Sequence, residues 1–148
     1  MNKPRTSDFP DNASDWHHRV SYGETDGMKV AYYGNYLHWF EQARSCYIRE
    51  RGMSYAQVEE HGFFLPVREA GCRYRHPVRY DEEIIVRAGV STCSRASITF
   101  LYEVRSGDGA TIMASGQTQH ACVDQAGKPV PLPDWLKSLC TALPGQRS

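Results

Sequence analysis

Neither sign of charge is in excess in this chain: seventeen basic side chains balance seventeen acidic ones, for a formal net charge of zero. A protein that coats nucleic acid or an anionic membrane needs a positive field, so neither is expected as its main partner. No stretch is long and apolar enough to cross a bilayer, and no apolar segment opens the chain as a leader would. The five cysteines (Cys46, Cys72, Cys93, Cys122 and Cys140) are odd in number, and none falls in a CxxC or Cys/His spacing. That argues against zinc. Cys72 and Cys122 instead read as small apolar side chains at alternating strand positions, in a reducing compartment. A cytoplasmic protein without metal or organic cofactor is expected. No repeat or low-complexity block divides the sequence, and 148 residues fit one domain able to bury a core without staples.

What is present falls into two regimes between polar tails at residues 1–15 and 141–148. A short strand is predicted from Trp16 to Tyr22. Asn35 can cap a helix with its side-chain oxygen. Beyond it Tyr36, Trp39, Phe40, Ala43 and Tyr47 recur at spacings of three and four, an apolar stripe that Gly52 ends. Ser54 and Gln57 form a capping box for a second, short helix. Period two then takes over. Cys72, Tyr74, His76, Val78 and Tyr80 alternate with Arg73, Arg75, Pro77 and Arg79; Ile84 to Val90 and Ala96 to Val104 repeat the alternation. A fourth strand is expected from about Ala110 to Asp124, and PVPLPDW leads into a final helix. Strands following helices predict an α+β domain, with an antiparallel sheet curled round one long helix over residues 16–140.

The densest chemistry lies in YGETDGMKVAYYGNYLHWFEQAR, residues 22–44. It joins an acidic turn to a helix start. Thr25-Asp26-Gly27 is good turn chemistry without any catalysis. Equally, an ionised Asp26 beside the free N–H groups and positive dipole end of a helix near Tyr33 to Tyr36 could serve a reaction that develops an oxyanion. Glu24 reads as a solvated turn residue, and Glu41 as half of a structural ion pair, for example with an arginine. Tyr22, Tyr32, Tyr33 and Tyr36 suit either an acyl pocket or a core or subunit interface. His76 and His120, in strand alternation, read as packed or interface residues rather than catalytic ones.

This order of elements, with Tyr22, Asp26, Val30, Tyr32, Asn35, Tyr36, Trp39, Glu41, Ala43 and Arg44, resembles the hotdog-fold acyl-CoA thioesterases of the 4-hydroxybenzoyl-CoA thioesterase type. RHPVRYDEEIIV and ASGQTQHACVDQAGKPVPLPDW resemble the family's later strands, so the likeness runs over roughly residues 16–139. It implies hydrolysis of an acyl-CoA to a carboxylate and free CoA without a cofactor. Asp26 would act as nucleophile or general base, and the backbone N–H of Tyr33 as oxyanion donor. Tyr22, Tyr32 and Asn35 would lie along the substrate, and Arg95 would hold a CoA phosphate. The resemblance also implies a homodimer or homotetramer with active sites between subunits. A carrier-protein thioesterase and a non-catalytic acyl-CoA-binding protein remain as alternatives. One departure is Lys29, where the family usually has glycine; if the turn requires a positive φ there, lysine is strained.

Overall fold

A computed structural model of the chain describes residues 9–144. The aromatic stripe forms as expected. Helix α1 (Asn35–Glu50) buries Tyr36, Trp39, Phe40, Ala43, Tyr47 and Ile48, all on one face. A fully buried side chain of this size contributes about 1.5–3 kcal/mol, so the stripe alone commits the helix to the core. The chain leaves it through Gly52 at φ 102°, whose N–H closes on the Arg49 carbonyl at 2.9 Å. Helix α2 (Tyr55–Glu60) starts on the expected Ser54–Gln57 box.

Five antiparallel strands wrap this helix. They are β1 (Ser14–Arg19), β2 (Val67–Tyr74), β3 (Glu83–Cys93), β4 (Ser97–Ser106) and β5 (Ile112–Ala121), in the spatial order β1-β3-β4-β5-β2. Along β4 the period-two set Ile98, Phe100, Tyr102 and Val104 is buried against α1. Phe40 stacks flat on Tyr102 at 4.3 Å between centroids, and Tyr47 meets Phe100 edge-on at 5.4 Å. Gly116 makes the close approach possible: a Cβ there would sit 2.4 Å from the Phe40 ring and 2.6 Å from the Gly71 carbonyl. Helix α3 (Asp134–Thr141) closes the open end with Leu136, Leu139 and Cys140. The expected α+β layer architecture is present.

Several boundaries differ from the sequence reading. β1 begins at Ser14 and stops at Arg19, before a 3-10 turn at Tyr22–Glu24. Residues 1–8 of the expected N-terminal tail and 145–148 of the C-terminal one lie outside the described residues. The chain just before β1 is tied in: Asn12 exchanges two hydrogen bonds with the Val90 backbone, and buried Arg51 donates to the Asn12 carbonyl and the Ser14 hydroxyl. β2 ends at Tyr74 instead of Tyr80. The Arg75 and His76 N–H groups both turn onto the Met113 carbonyl, and Pro77 has no donor with which to continue a ladder. His76 is therefore exposed, while His120 is buried as expected. β5 ends at Ala121 because Cys122 and Val123 turn to Ala96 and Phe64.

Candidate active site

The acidic turn is a small hairpin. Thr25 bridges Ala31, the Asp26 N–H donates to Val30 at 2.9 Å, and the Lys29 N–H returns to Asp26 at 3.0 Å. The Asp26 carboxylate caps its own turn by accepting the Met28 N–H at 2.8 Å, and it stays exposed. Lys29 does adopt φ 62°, so the lysine at the usual glycine position is held in the left-handed region. The Tyr80 N–H takes the Lys29 carbonyl at 3.1 Å, fastening the strained residue to the loop before β3.

The start of α1 lies against this hairpin. Tyr32 donates its N–H to the Glu24 carbonyl at 2.9 Å, and the Asn35 side chain donates to the same oxygen at 2.6 Å. Asn35 is thus not the cap: Gly34 holds that position, and the Asn35 amide is drawn back to the acidic turn. The Tyr33 carbonyl accepts from the Tyr36 N–H and from the Tyr74 hydroxyl, the latter at 3.0 Å, while its own N–H meets no acceptor among the described residues. No acidic side chain sits in the first turn of this sixteen-residue helix, so its positive end is not neutralised from within. Tyr32 and Tyr33 pack ring to ring at 4.5 Å and are half-exposed or more. Beside them a cavity of about 300 Å³ is walled by Val30, Tyr33, Tyr36 and Tyr74.

Glu24 is the residue that sequence reasoning misread. Its side chain is only 17% exposed rather than solvated. The carboxylate accepts from the Ser21 N–H at 2.8 Å, from the Trp39 indole at 2.6 Å and from His18 at 2.8 Å. Burial works to raise its pKa, but the bonds from Ser21, Trp39 and His18, together with the His18 charge, outweigh burial and hold it below the usual glutamate value. Side chain and carbonyl together tie β1, the acidic turn and α1 into one unit. The signal was present in the sequence: Ser21 and Glu24 have the S-x-x-E spacing of a capping box.

Two other expected site residues make different contacts. Tyr22 is exposed and packs edge-on against Tyr80 at 5.6 Å. Arg95 is exposed in the turn between β3 and β4, and only its carbonyl is engaged, by the Leu132 N–H. The acidic turn is fastened to the loop before β3, whereas Arg95 follows the far end of that eleven-residue strand in the same chain. Glu41 pairs with His38 at 3.8 Å rather than with an arginine. A cavity of about 440 Å³ lies on the sheet beside Arg73, Leu101, Glu103 and Gln117, and Asp26 does not line it. Among the described residues no group of three His, Cys, Asp or Glu side chains could hold a metal, and no helix could cross a membrane.

Comparison with known proteins bears on the fold and the family. The model of the thioesterase-like superfamily matches residues 20–139. The acyl-CoA thioesterase YbgC of Haemophilus influenzae is 31% identical over 86% of this chain and 94% of its own. The 1,4-dihydroxy-2-naphthoyl-CoA hydrolase of a Synechocystis species is 24% identical over 82% and 91%. The crystal structure of the DHNA-CoA thioesterase of Staphylococcus aureus superposes with a TM-score of 0.79 at 34% identity, covering 85% of this chain and 87% of that one. An antiparallel sheet curled on a central helix, matched along most of its length in sequence and in structure, makes this chain a hotdog-fold member of the thioesterase-like superfamily.

Proposed function

We propose that the protein hydrolyses an acyl-CoA thioester to a carboxylate and free CoA, with Asp26 as the reacting carboxylate and the Tyr33 N–H as oxyanion donor. One observation supports this reading: the Glu24 carbonyl accepts from both Tyr32 and Asn35, fastening the start of α1 to the turn that carries exposed Asp26, and the Tyr33 N–H meets no acceptor among the described residues. As general base, Asp26 takes a proton from water as the oxygen attacks the carbonyl carbon. The oxyanion then collapses, the C–S bond breaks, and the same proton passes to the departing thiolate. As nucleophile, Asp26 forms a mixed anhydride with release of the thiolate, and water cleaves the anhydride. The relatives named as acyl-CoA thioesterase and as 1,4-dihydroxy-2-naphthoyl-CoA hydrolase support the substrate class. Five free thiols suit a cytoplasmic setting.

The working unit in this reading is a homodimer or homotetramer. Among the described residues β2 pairs only with β5, and no strand of this chain covers its other edge beside exposed Val67 and Tyr74. Antiparallel pairing of two such edges brings a second chain against Tyr74 and hence against the α1 start. Arg95 can then meet CoA phosphate only on a site shared with another subunit.

The test is thiol release from a panel of aliphatic and aromatic acyl-CoAs, with Asp26→Asn alongside wild type. The expected result is turnover that falls at least a hundredfold in the variant while its circular dichroism and melting temperature hold. Equal rates would remove Asp26 from the mechanism. No turnover on any acyl-CoA would shift the substrate to a carrier-protein thioester or the role to binding, with Lys29 as the first residue to restore to glycine.

A further inference from the structure

The peptides that open α1 are held from two sides. From the acidic turn, the Glu24 carbonyl takes the Tyr32 N–H and the Asn35 side chain. From the sheet, Tyr74 donates its hydroxyl to the Tyr33 carbonyl at 3.0 Å. Tyr74 is the last residue of β2, opposite buried Ala114, and the next N–H, that of Arg75, is bound to the Met113 carbonyl at 2.9 Å. Its ring stands edge-on to Tyr36 at 4.8 Å and to Tyr33 at 6.4 Å. The hydroxyl thus reaches the helix start from a backbone held by the sheet. Partial burial, followed by the Cys72 thiol, pushes its pKa up to about 12, so it stays a donor at neutral pH. Its one proton lies on Tyr33 and is not free for a substrate.

What that bond fixes is a direction. Tyr33 and Gly34 form a turn that runs into α1. The Asn35 N–H returns to the Tyr32 carbonyl at 3.0 Å, the Tyr36 N–H returns to the Tyr33 carbonyl at 3.2 Å, and Gly34 is helical at φ −64° and ψ −22°. In such a turn successive N–H groups point the same way, out of the N-terminal end. The Gly34 N–H, like that of Tyr33, meets no acceptor among the described residues. It belongs to the same planar trans peptide as the Tyr33 carbonyl, so it points away from the Tyr74 hydroxyl. A hydroxyl anchored in the sheet therefore keeps that peptide from rocking. Room favours glycine at this position too, since a Cβ would sit 2.8 Å from the Tyr32 ring.

We propose that Tyr74 is a positioning residue for the hydrolysis: its hydroxyl holds the Tyr33–Gly34 peptide so that the Gly34 N–H joins the Tyr33 N–H on the thioester oxygen. This rests on the reading of Tyr33 as oxyanion donor given above. Two aligned donors share the charge that develops on that oxygen, and they act only as well as they are aimed. Loss of a whole donor costs about 10²–10³ in rate, and loss of its aim alone costs less, about tenfold.

The experiment is heteronuclear NMR of the full chain, isotopically labelled at glycine, for wild type and Tyr74→Phe; the Gly34 amide signal is the one absent from Gly34→Ala. The probes are ketone analogues of hexanoyl-CoA and benzoyl-CoA, in which a methylene replaces the thioester sulfur. The kcat and KM for the two parent thioesters are measured on the same proteins. Phenylalanine keeps both ring contacts, so circular dichroism and gel-filtration volume should hold. Bound analogue should move the Gly34 amide proton downfield in wild type and much less in Tyr74→Phe, while kcat falls about tenfold at constant KM. A merely structural role would lower the melting temperature, leave the Gly34 response and the kcat-to-KM split unmoved, and overturn the proposal. A KM raised at constant kcat would make Tyr74 a substrate contact and also overturn it, as would a Gly34 signal that ignores the analogue while other glycines respond. If no glycine responds to either analogue, this proposal and the acyl-CoA reading fall together. Full turnover in Asp26→Asn, with the Gly34 response present and weakened by Tyr74→Phe, would remove Asp26 and leave Tyr74 standing.

Discussion

Glu24→Gln tests how the acidic turn is joined to the helix. In the native side chain Oε1 receives the Ser21 N–H at 2.8 Å, Oε2 receives the Trp39 indole N–H at 2.6 Å, and the His18 ring nitrogen lies 2.8 and 3.0 Å from the two oxygens. Glutamine keeps the shape but turns one oxygen into an NH2 group. His18 can answer by presenting its other tautomer. A backbone N–H and an indole N–H cannot, so one of them is left facing a donor. Losing a charge-assisted bond costs about 1.5–3 kcal/mol, and an unpaired donor adds about 1–3. With so little of the side chain exposed to water, the expected net loss is about 3 kcal/mol, a large share of the roughly 5–15 that a domain has.

Urea unfolding followed by tryptophan fluorescence reads this as a midpoint lowered by about 1.5 M. In a Trp39→Phe background the glutamine can turn its NH2 to the vacated side, so the same change should cost at least ~1 kcal/mol less. The sign with pH is also set. The folded-state pKa of Glu24 lies below its ordinary 4.5, so its contribution is complete above that value and is lost as the pH falls through the folded pKa. The gap between wild type and variant must narrow on acidification. A loss under ~0.5 kcal/mol at neutral pH, or a gap that widens in acid, would refute the assignment.

Two further outcomes follow from the core. Gly116→Ala drives a methyl into the Phe40 ring and the Gly71 carbonyl, so thermal melting should show a loss of about 2–3 kcal/mol; an unchanged melting temperature would mean α1 can lift off the sheet freely. His120 is buried with Nδ1 on the Leu65 carbonyl at 2.9 Å and Nε2 on the Thr118 hydroxyl at 2.8 Å. Burial, aided by the Arg44 charge, pushes its pKa down to about 4. The unfolded chain then binds the proton first, and stability falls as the pH drops from about 6.5 toward 4, by about 2 kcal/mol at pH 5. His120→Gln should remove that slope, measured as the difference in unfolding free energy between pH 7 and pH 5.

The sequence by itself determined the elements whose signals are local and periodic. The α1 stripe, the Ser54–Gln57 box, the turn at Gly52 and the inward faces of β3 and β4 follow from 3.6- and 2-residue spacing, because one buried face selects one register. It also marked Asp26 and the strained place of Lys29, since a turn's dihedral demands are set within a few residues. Only the tertiary structure decided what depends on distant partners. The alternation after Cys72 suggested a strand as far as Tyr80, yet β2 is an edge whose two faces are both largely exposed, so alternation there carried no burial to enforce it. Glu24 reads as a solvated turn acid until Trp39, fifteen residues on, and His18, on a neighbouring strand, close over it. For Arg95 the resemblance implied a CoA-phosphate contact, while the length of β3 sets it at the end of that strand away from the acidic turn of its own chain. That the buried Tyr55 hydroxyl lacks a partner among the described residues had no trace in the sequence, because an unmet donor is a property of what surrounds a side chain and not of the side chain itself.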